Sequence, residues 1–168
     1  SGSGNDAFLV DANQSFSWDG GAGGDSTTLV APGAGAGTPL VGDNGALCKS
    51  VGSQLFCDSN NSGTWDGNGG GDLSTNFSAG TGAGIFLFAD LNGNGTKELI
   101  KYVADLAGSG NDAFLIDDNE NNVWNGGAGG DTTYLVAPGA GPGTPFTCDC
   151  DANGTQEIGK FQSSGSFL

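Results

Sequence analysis

Apolar residues in this chain come in short runs, each closed by Gly, Pro, Asn or Asp. In the C-terminal half the runs are 98–104 (ELIKYVA), 112–116 (DAFLI), 132–136 (TTYLV) and 144–147 (TPFT). Runs of four to seven residues rich in Phe, Leu, Ile, Val, Tyr and Thr, bounded by turn formers, predict β-strands. No segment spaces its apolar residues like one face of a helix. The pattern predicts an all-β chain whose unit is four short antiparallel strands.

That unit is repeated. Residues 2–41 return at 108–147, shifted by 106 positions, with GSGNDAFL, GGAGGD, LVAPGAG and GTP in common. A more divergent copy occupies 56–67. Trp18, Trp65 and Trp124 mark the register, and each has an Asp seven residues before it (Asp11, Asp58, Asp117) and seven after (Asp25, Asp72, Asp131). The expectation is three tandem four-stranded repeats, about 2–46, 47–97 and 98–157, forming a single repeat domain over 1–168.

The connections carry the chemistry. Residues 90–98 place oxygen-bearing side chains at relative positions 1, 3, 5, 7 and 9 (Asp90, Asn92, Asn94, Thr96, Glu98), with Gly95 at position 6. Residues 149–157 repeat the layout with Asp149, Asp151, Asn153, Thr155 and Glu157. Ca2+ takes about six to eight oxygens, and a glycine lets such a loop turn tightly around it. Both loops read as Ca2+ sites. They are not EF-hands: position 12 is Lys101 or Lys160 rather than Glu, and the flanks are β-rich. A second set of loops has the same 1-3-5-9 layout: Asp11/Asn13/Ser15/Asp19, Asp58/Asn60/Ser62/Asp66 and Asp117/Asn119/Asn121/Asn125. Only the middle copy has Gly at position 6 (Gly63), which ranks it first of the three; the alternative for all three is an Asx-rich turn without metal.

Composition narrows the functions. Nineteen acids face four Lys, a net charge of −15, so nothing here would neutralise nucleic-acid phosphates. A surplus of this kind suits cation loading as well as a plain acidic surface. Thirty-four glycines without a Gly-X-Y period fit a turn-rich β-architecture and exclude collagen. No apolar run is long enough for a membrane-spanning helix. There is no charged, apolar leader, and a start at Ser1 suggests a processed mature protein or a segment of a larger one. Four Cys without His exclude most zinc sites and point to disulfides in an oxidising, extracellular or cell-surface compartment. With no His, no Arg, no Ser-x-x-Lys and no Gly-x-Ser-x-Gly, no enzyme is expected.

The combination FLxDxN, WDG, GGD, TP and DxNGxGxxE resembles the FG-GAP/VCBS repeats of integrin-like calcium-binding β-propellers, and it covers essentially the whole chain. The resemblance implies propeller-like blades of four antiparallel strands with Ca2+ in loops 90–98 and 149–157, where Glu98 and Glu157 provide the closing acid. The first repeat departs from the pattern. Its corresponding stretch, 43–48, is several residues short and has no acid at position 9, so no ion is expected there.

Cys48 and Cys57 flank a stretch whose turn centres on 51–54, so residues with numbers summing to 105 face one another and these two can bond. Cys148 and Cys150 can bond each other or bridge to another chain. The three Trp could stack on sugar rings; their regular placement favours packing between sheets beside each loop. Five Asn-x-Ser/Thr sequons lie at Asn13, Asn60, Asn76, Asn94 and Asn153, and only Asn76 is free of a proposed cation role, making it the glycan candidate.

Two functions follow as expectations: a Ca2+-stiffened structural subunit of an extracellular fibre or surface layer, or a lectin-like or adhesive module binding glycan or protein. The first repeat begins at its second strand (5–10), while 157–161 is a spare copy of the missing one, followed at 166–168 by the start of another second strand. A C-terminal strand, 157–168, exchanged with a neighbouring subunit would join copies head to tail into a homo-oligomeric ring or fibre; the alternative is three blades cut from a longer propeller.

Overall fold

The computed structural model describes residues 6–77, 81–136 and 143–162. They form an all-β structure of antiparallel sheets. Ala7–Val10 (β1) and Ser26–Leu29 (β2) pair as a two-stranded ribbon, with Phe8 opposite Thr28. Thr38–Val41 (β3), Leu47–Val51 (β4), Gln54–Cys57 (β5) and Leu73–Thr75 (β6) make a four-stranded sheet in that order. Ile85–Ala89 (β7), Glu98–Val103 (β8), Asp112–Ile116 (β9) and Thr132–Val136 (β10) make a second one, also in chain order. Thr144–Cys148 (β11) and Glu157–Phe161 (β12) form another ribbon.

The expected strands are present, but the expected unit of three four-stranded repeats is corrected to two four-stranded sheets and two ribbons. No closed barrel or propeller forms among the described residues. The strand at Thr144–Cys148, assigned from sequence to the sheet of β8, β9 and β10, pairs instead with β12. The fourth strand of that sheet is β7, on the opposite edge, beside β8. The reason is local: the nine-position loop after β7 ties it to β8, and the similar loop after β11 ties that strand to β12. Antiparallel neighbours joined by short loops pair first. Residues 166–168, read as the start of another second strand, and the end of the 157–168 segment lie outside the described residues.

The chain divides into two compact units, Ser1–Ser74 and Thr75–Leu168. In the second, every residue of β8 and β9 is buried. Strands covered on both faces read as near-continuous apolar runs rather than alternating ones, as AFLI of β9 does; β8 buries Glu98 and Lys101 as well. The core here is Ala89, Ile100, Tyr102, Phe114 and Ile116, with Leu87, Leu91, Val136 and Ile158 packed against it. In the first unit Val30, Ala31 and Phe56 form the core, flanked by Phe8, Leu47, Val51 and Trp65.

Lysines cross these cores, which the sequence did not reveal. Lys49 on β4 is 1 % exposed, and its Nζ donates to Ala31 O and Gly35 O, both at 3.2 Å. Lys101 on β8 is fully buried; its Nζ donates to Gly82 O at 2.7 Å and lies 5.7 Å from the Phe86 ring centroid. Burial pushes the Lys101 ammonium below its ordinary range. Each ammonium thus closes a Gly-rich connection by binding its carbonyls, since an unpaired buried charge would be very costly. Asp6 Oδ2 also lies 4.0 Å from the Lys49 ammonium. Lys160 on β12 meets Asp112 on β9 at 2.8 Å, in an ion pair that is almost completely buried. Tyr102 Oη donates to the same Asp112 oxygen at 2.7 Å, and Asp105 N to the other at 3.0 Å. Burial alone would raise the Asp112 pKa, but Lys160, Tyr102 and Asp105 outweigh it and hold the carboxyl below its ordinary value.

Candidate cation-binding loops

Five loops share one backbone geometry. In each, the residues at positions 4 and 6 have positive φ: Gln14 and Phe16, Asn61 and Gly63, Gly93 and Gly95, Glu120 and Asn122, Ala152 and Gly154. In each, the position-1 Asp accepts the N–H of positions 5 and 6, as with Asp58, which takes Ser62 N at 3.0 Å and Gly63 N at 2.9 Å. The side-chain oxygen at position 3 also accepts the N–H of position 5, in Asn13, Asn60, Asn92, Asn119 and Asp151 alike. Gly at position 6 is therefore no criterion for the fold of the loop: Phe16 (φ 60°) and Asn122 (φ 60°) adopt the same region as Gly63 (φ 75°). For a bulky residue such as Phe16 that region is strained, and its side chain is 97 % exposed.

Loops 90–98 and 149–157 close through their ninth residue. Glu98 Oε2 accepts Leu91 N at 2.8 Å, and Asn92 Nδ2 donates to Glu98 Oε1. Glu157 Oε2 accepts Cys150 N at 2.7 Å. Asp149, Asp151 and Glu157 can each place a carboxylate oxygen within 4.8 Å of the others. Glu98 is 1 % exposed; its burial raises its pKa, the Leu91 N–H opposes this, and the charges of Asp90 and Glu120 add to the rise. The two loops touch: Asp90 exchanges two hydrogen bonds with Gln156, and a Cβ on Gly93 would come within 2.9 Å of Thr155 Cγ2. Asn94 Oδ1 accepts Thr96 N at 2.7 Å, and its amide donates to Glu120 Oε1 at 2.5 Å. Asn153 Oδ1 accepts both Thr155 N and Thr155 Oγ1.

The three Trp-bearing loops close differently. A short 3-10 turn (Gly21–Gly23, Asn68–Gly70, Gly127–Gly129) folds back over the loop. The Asn at position 3 fixes it by donating to Gly23 O at 2.6 Å, Gly70 O at 3.0 Å or Gly129 O at 2.9 Å. The turn passes so near position 9 that a Cβ at Gly23, Gly70 or Gly129 would lie 2.2 Å from the Cβ of Asp19, Asp66 or Asn125. It delivers an Asp at position 15 (Asp25, Asp72, Asp131), whose Oδ2 accepts the N–H of Asp19, Asp66 or Asn125. From sequence these three Asp were only register markers; their constant distance from the first Asp and the preceding Gly-Gly were the available signal. Asp117, fully buried, has its pKa raised by burial, against the N–H groups of Asn122 and Asn121, with the charges of Asp131 and Glu120 adding to the rise.

The other predicted positions fall as follows. Cys48 and Cys57 are directly paired in the β4–β5 register and bonded, Cα–Cα 4.1 Å. Cys148 bonds Cys150, so the second pair is internal and offers no thiolate. In place of a nine-residue loop, β3 and β4 are joined through the three-residue turn Asp43–Gly45. Trp65 packs edge-on against Phe56 at 5.9 Å and Trp124 against Phe77 at 5.6 Å, whereas Trp18 is 49 % exposed. Asn76 is exposed. Among the described residues no helix is long and apolar enough to cross a membrane. The loop donors are oxygens throughout, the set that suits a hard divalent cation. No protein-family model, no curated protein and no solved structure matches this chain.

Proposed function

We propose that this chain is a non-enzymatic, extracellular Ca2+-binding β-repeat protein, a structural subunit joined head to tail with its neighbours in a fibre or surface layer. One observation carries the reading. Three carboxylates, Asp149, Asp151 and Glu157, converge to within 4.8 Å on a loop whose backbone matches that of 90–98. Like charges at that distance in an acidic chain repel, and a bound cation reverses the sign of the interaction. Asp90, Asn92, Asn94 and Glu98 would hold one ion, and Asp149, Asp151, Asn153 and Glu157 another. The ion supplies a cross-link between the end of one strand and the start of the next. The FG-GAP/VCBS resemblance supports the same assignment, and the two disulfides fit an oxidising compartment.

The structural role rests on the ribbons. β1 shares AFL with β9, each stretch following an Asp (Asp6, Asp112), and β12 shares with β8 the Glu at the first position and the Lys at the fourth. β8 and β9 are hydrogen-bonded neighbours. A β12 edge presented to the β1 edge of a second copy would complete a four-stranded sheet of the β7–β10 kind. The exposed Phe16 and Trp18 favour the second reading, an adhesive module that stacks on glycan rings.

Scanning calorimetry with Ca2+ and with EDTA tests the calcium reading. Ca2+ raises the melting temperature by mass action, and Asn92→Ala with Glu98→Ala diminishes the rise. Superimposable melting curves for the parent would refute it.

A further inference from the structure

The Trp-bearing loops contain three buried oxygens with no partner: Asp25 Oδ1, Asp72 Oδ1 and Asp131 Oδ1. The three residues are 5 %, 4 % and 2 % exposed. Buried polar atoms are almost always satisfied, and an ionised oxygen left alone is among the most costly exceptions. One such atom could be incidental. The same atom at the same position of three loops, each time beside a carboxylate oxygen that is satisfied, is a property of the design.

The carboxylates are directed at the loops. The other oxygen of each binds the N–H of position 9, at 2.5 Å for Asp66 N to Asp72 Oδ2, and Gly67 N adds a second bond at 3.2 Å. The 3-10 turn that carries the Asp is held to the Asn at position 3. Position 15 is thereby tied to the main chain of position 9, and its turn to position 3, while in the third loop the Asp131 charge acts on Asp117 at position 1. Asp58 and Asp117 at position 1 are themselves 2 % and 0 % exposed, so two buried acids belong to each of those loops. In loops 90–98 and 149–157 the closing carboxylate is a Glu at position 9; here it comes from position 15.

We propose that Asp25, Asp72 and Asp131 are cation ligands, which makes the three Trp-bearing loops a second class of divalent-cation site in which the position-15 carboxylate supplies the closing oxygen. The inference rests on the calcium reading above for the identity of the ion. It adds three sites to the two in that reading, each built from Asp at positions 1 and 15 and Asn at position 3. The unpaired oxygen is the one the cation takes. Ions at these sites neutralise acids buried between paired strands, β1–β2, β5–β6 and β9–β10.

Each of these loops also contains its own reporter, because the Trp stands at position 8, next to the ninth residue. Tb3+, a Ca2+ substitute, emits when an adjacent indole is excited. Loop 58–72 is the cleanest case, since the unit Ser1–Ser74 contains neither of the two Glu-closed loops. The full chain, stripped of metal, is titrated with Tb3+ under indole excitation, alongside Trp65→Phe and Asp72→Asn. Sensitised emission displaced by Ca2+ is expected. Trp65→Phe should remove that loop's share of the emission while bound Tb3+ stays constant. Asp72→Asn, nearly isosteric, should remove the same share and one equivalent of bound metal, its loop affinity falling by roughly tenfold or more with the lost charge. If Asp72→Asn does not fold, Asp25→Asn with Trp18→Phe repeats the test. Unchanged emission and stoichiometry in the Asp→Asn variant would overturn the assignment and identify the unpaired oxygens as hydrated structural groups. If Tb3+ gives no sensitised emission while Ca2+ still raises the melting temperature in an Asn92-dependent way, this inference fails and the calcium reading stands. Absence of both responses defeats both.

Discussion

Asp90 and Gln156 hold each other through two hydrogen bonds: Gln156 N donates to Asp90 O at 2.8 Å, and Asp90 N donates to Gln156 Oε1 at 3.0 Å. The first and eighth positions of two separate loops are thereby fixed to one another. An ion that orders one loop orders part of the other. Binding at the two loops should be positively coupled, by a factor of about 5 or more. Gln156→Ala should leave two independent sites and cost about 0.5–1.5 kcal/mol of stability for the lost bond. Calorimetric Ca2+ titration of the parent, Gln156→Ala, Glu157→Gln and the double variant gives the coupling directly; identical coupling with and without the Gln156 side chain would refute the link.

Glu98 has its pKa raised mainly by burial. A raised carboxyl pKa penalises the fold above that pKa, and the penalty disappears as pH falls through it toward the ordinary value of 4.5. Without metal, Glu98→Gln should therefore melt higher than the parent at neutral pH, by roughly 2–4 °C for each kcal/mol relieved. The advantage should shrink on acidification and, on the calcium reading proposed above, reverse in Ca2+. A variant that melts lower than the parent in EDTA would show that the hydrogen bonds to Leu91 and Asn92 outweigh burial.

Asp112 gathers Lys160, Tyr102 and the Asp105 N–H in a nearly closed environment. Asp112→Ala strands the Lys160 ammonium and should cost about 3–5 kcal/mol, with Lys160→Met costing less because its partner keeps two donors. Its lowered pKa has the opposite sign to that of Glu98: this contribution is present above the ordinary Asp value of 3.8 and is lost as pH falls through the folded value. Urea denaturation of both variants across pH provides the check, and equal costs would contradict the assignment of Asp112 as the hub.

The edge assignment predicts a specific cross-link. Tyr102 and Phe114 are opposed between β8 and β9, and the corresponding residues of β12 and β1 are Phe161 and Phe8. Phe161→Cys with Phe8→Cys should give a ladder of disulfide-linked oligomers under mild oxidation. Monomers with both new thiols free would refute head-to-tail pairing, and cyclised monomers would relocate it within one chain.

Much of this was legible in short runs of sequence. The strands at 112–116 and 132–136 were read to the residue, and the Cys48–Cys57 pair followed from counting across one turn. Such features depend on neighbours a few positions apart. Sheet membership does not: whether Thr144–Cys148 pairs with β10 or with β12 is decided by competing partners, which periodicity cannot rank. The partners of Lys101 and Asp131 were not legible for a related reason. A charge in the sequence looks solvated until the carbonyls and N–H groups that enclose it are brought in from elsewhere.

Gly23, Gly70 and Gly129 have a consequence for how this chain can change. Each lets a turn pass where an added Cβ would lie 2.2 Å from the Cβ of position 9, and the turn sets the carboxylate of position 15. The segment from the first Asp to the fifteenth residue is therefore of fixed length: one inserted or deleted residue displaces the glycine, the carboxylate and the next strand together. The connection between β3 and β4 has no such constraint, and there a three-residue turn serves where other repeats have nine positions. Gains and losses of residues should accumulate in the connections of that second kind, while the Trp-bearing segments lengthen the protein only by being copied whole.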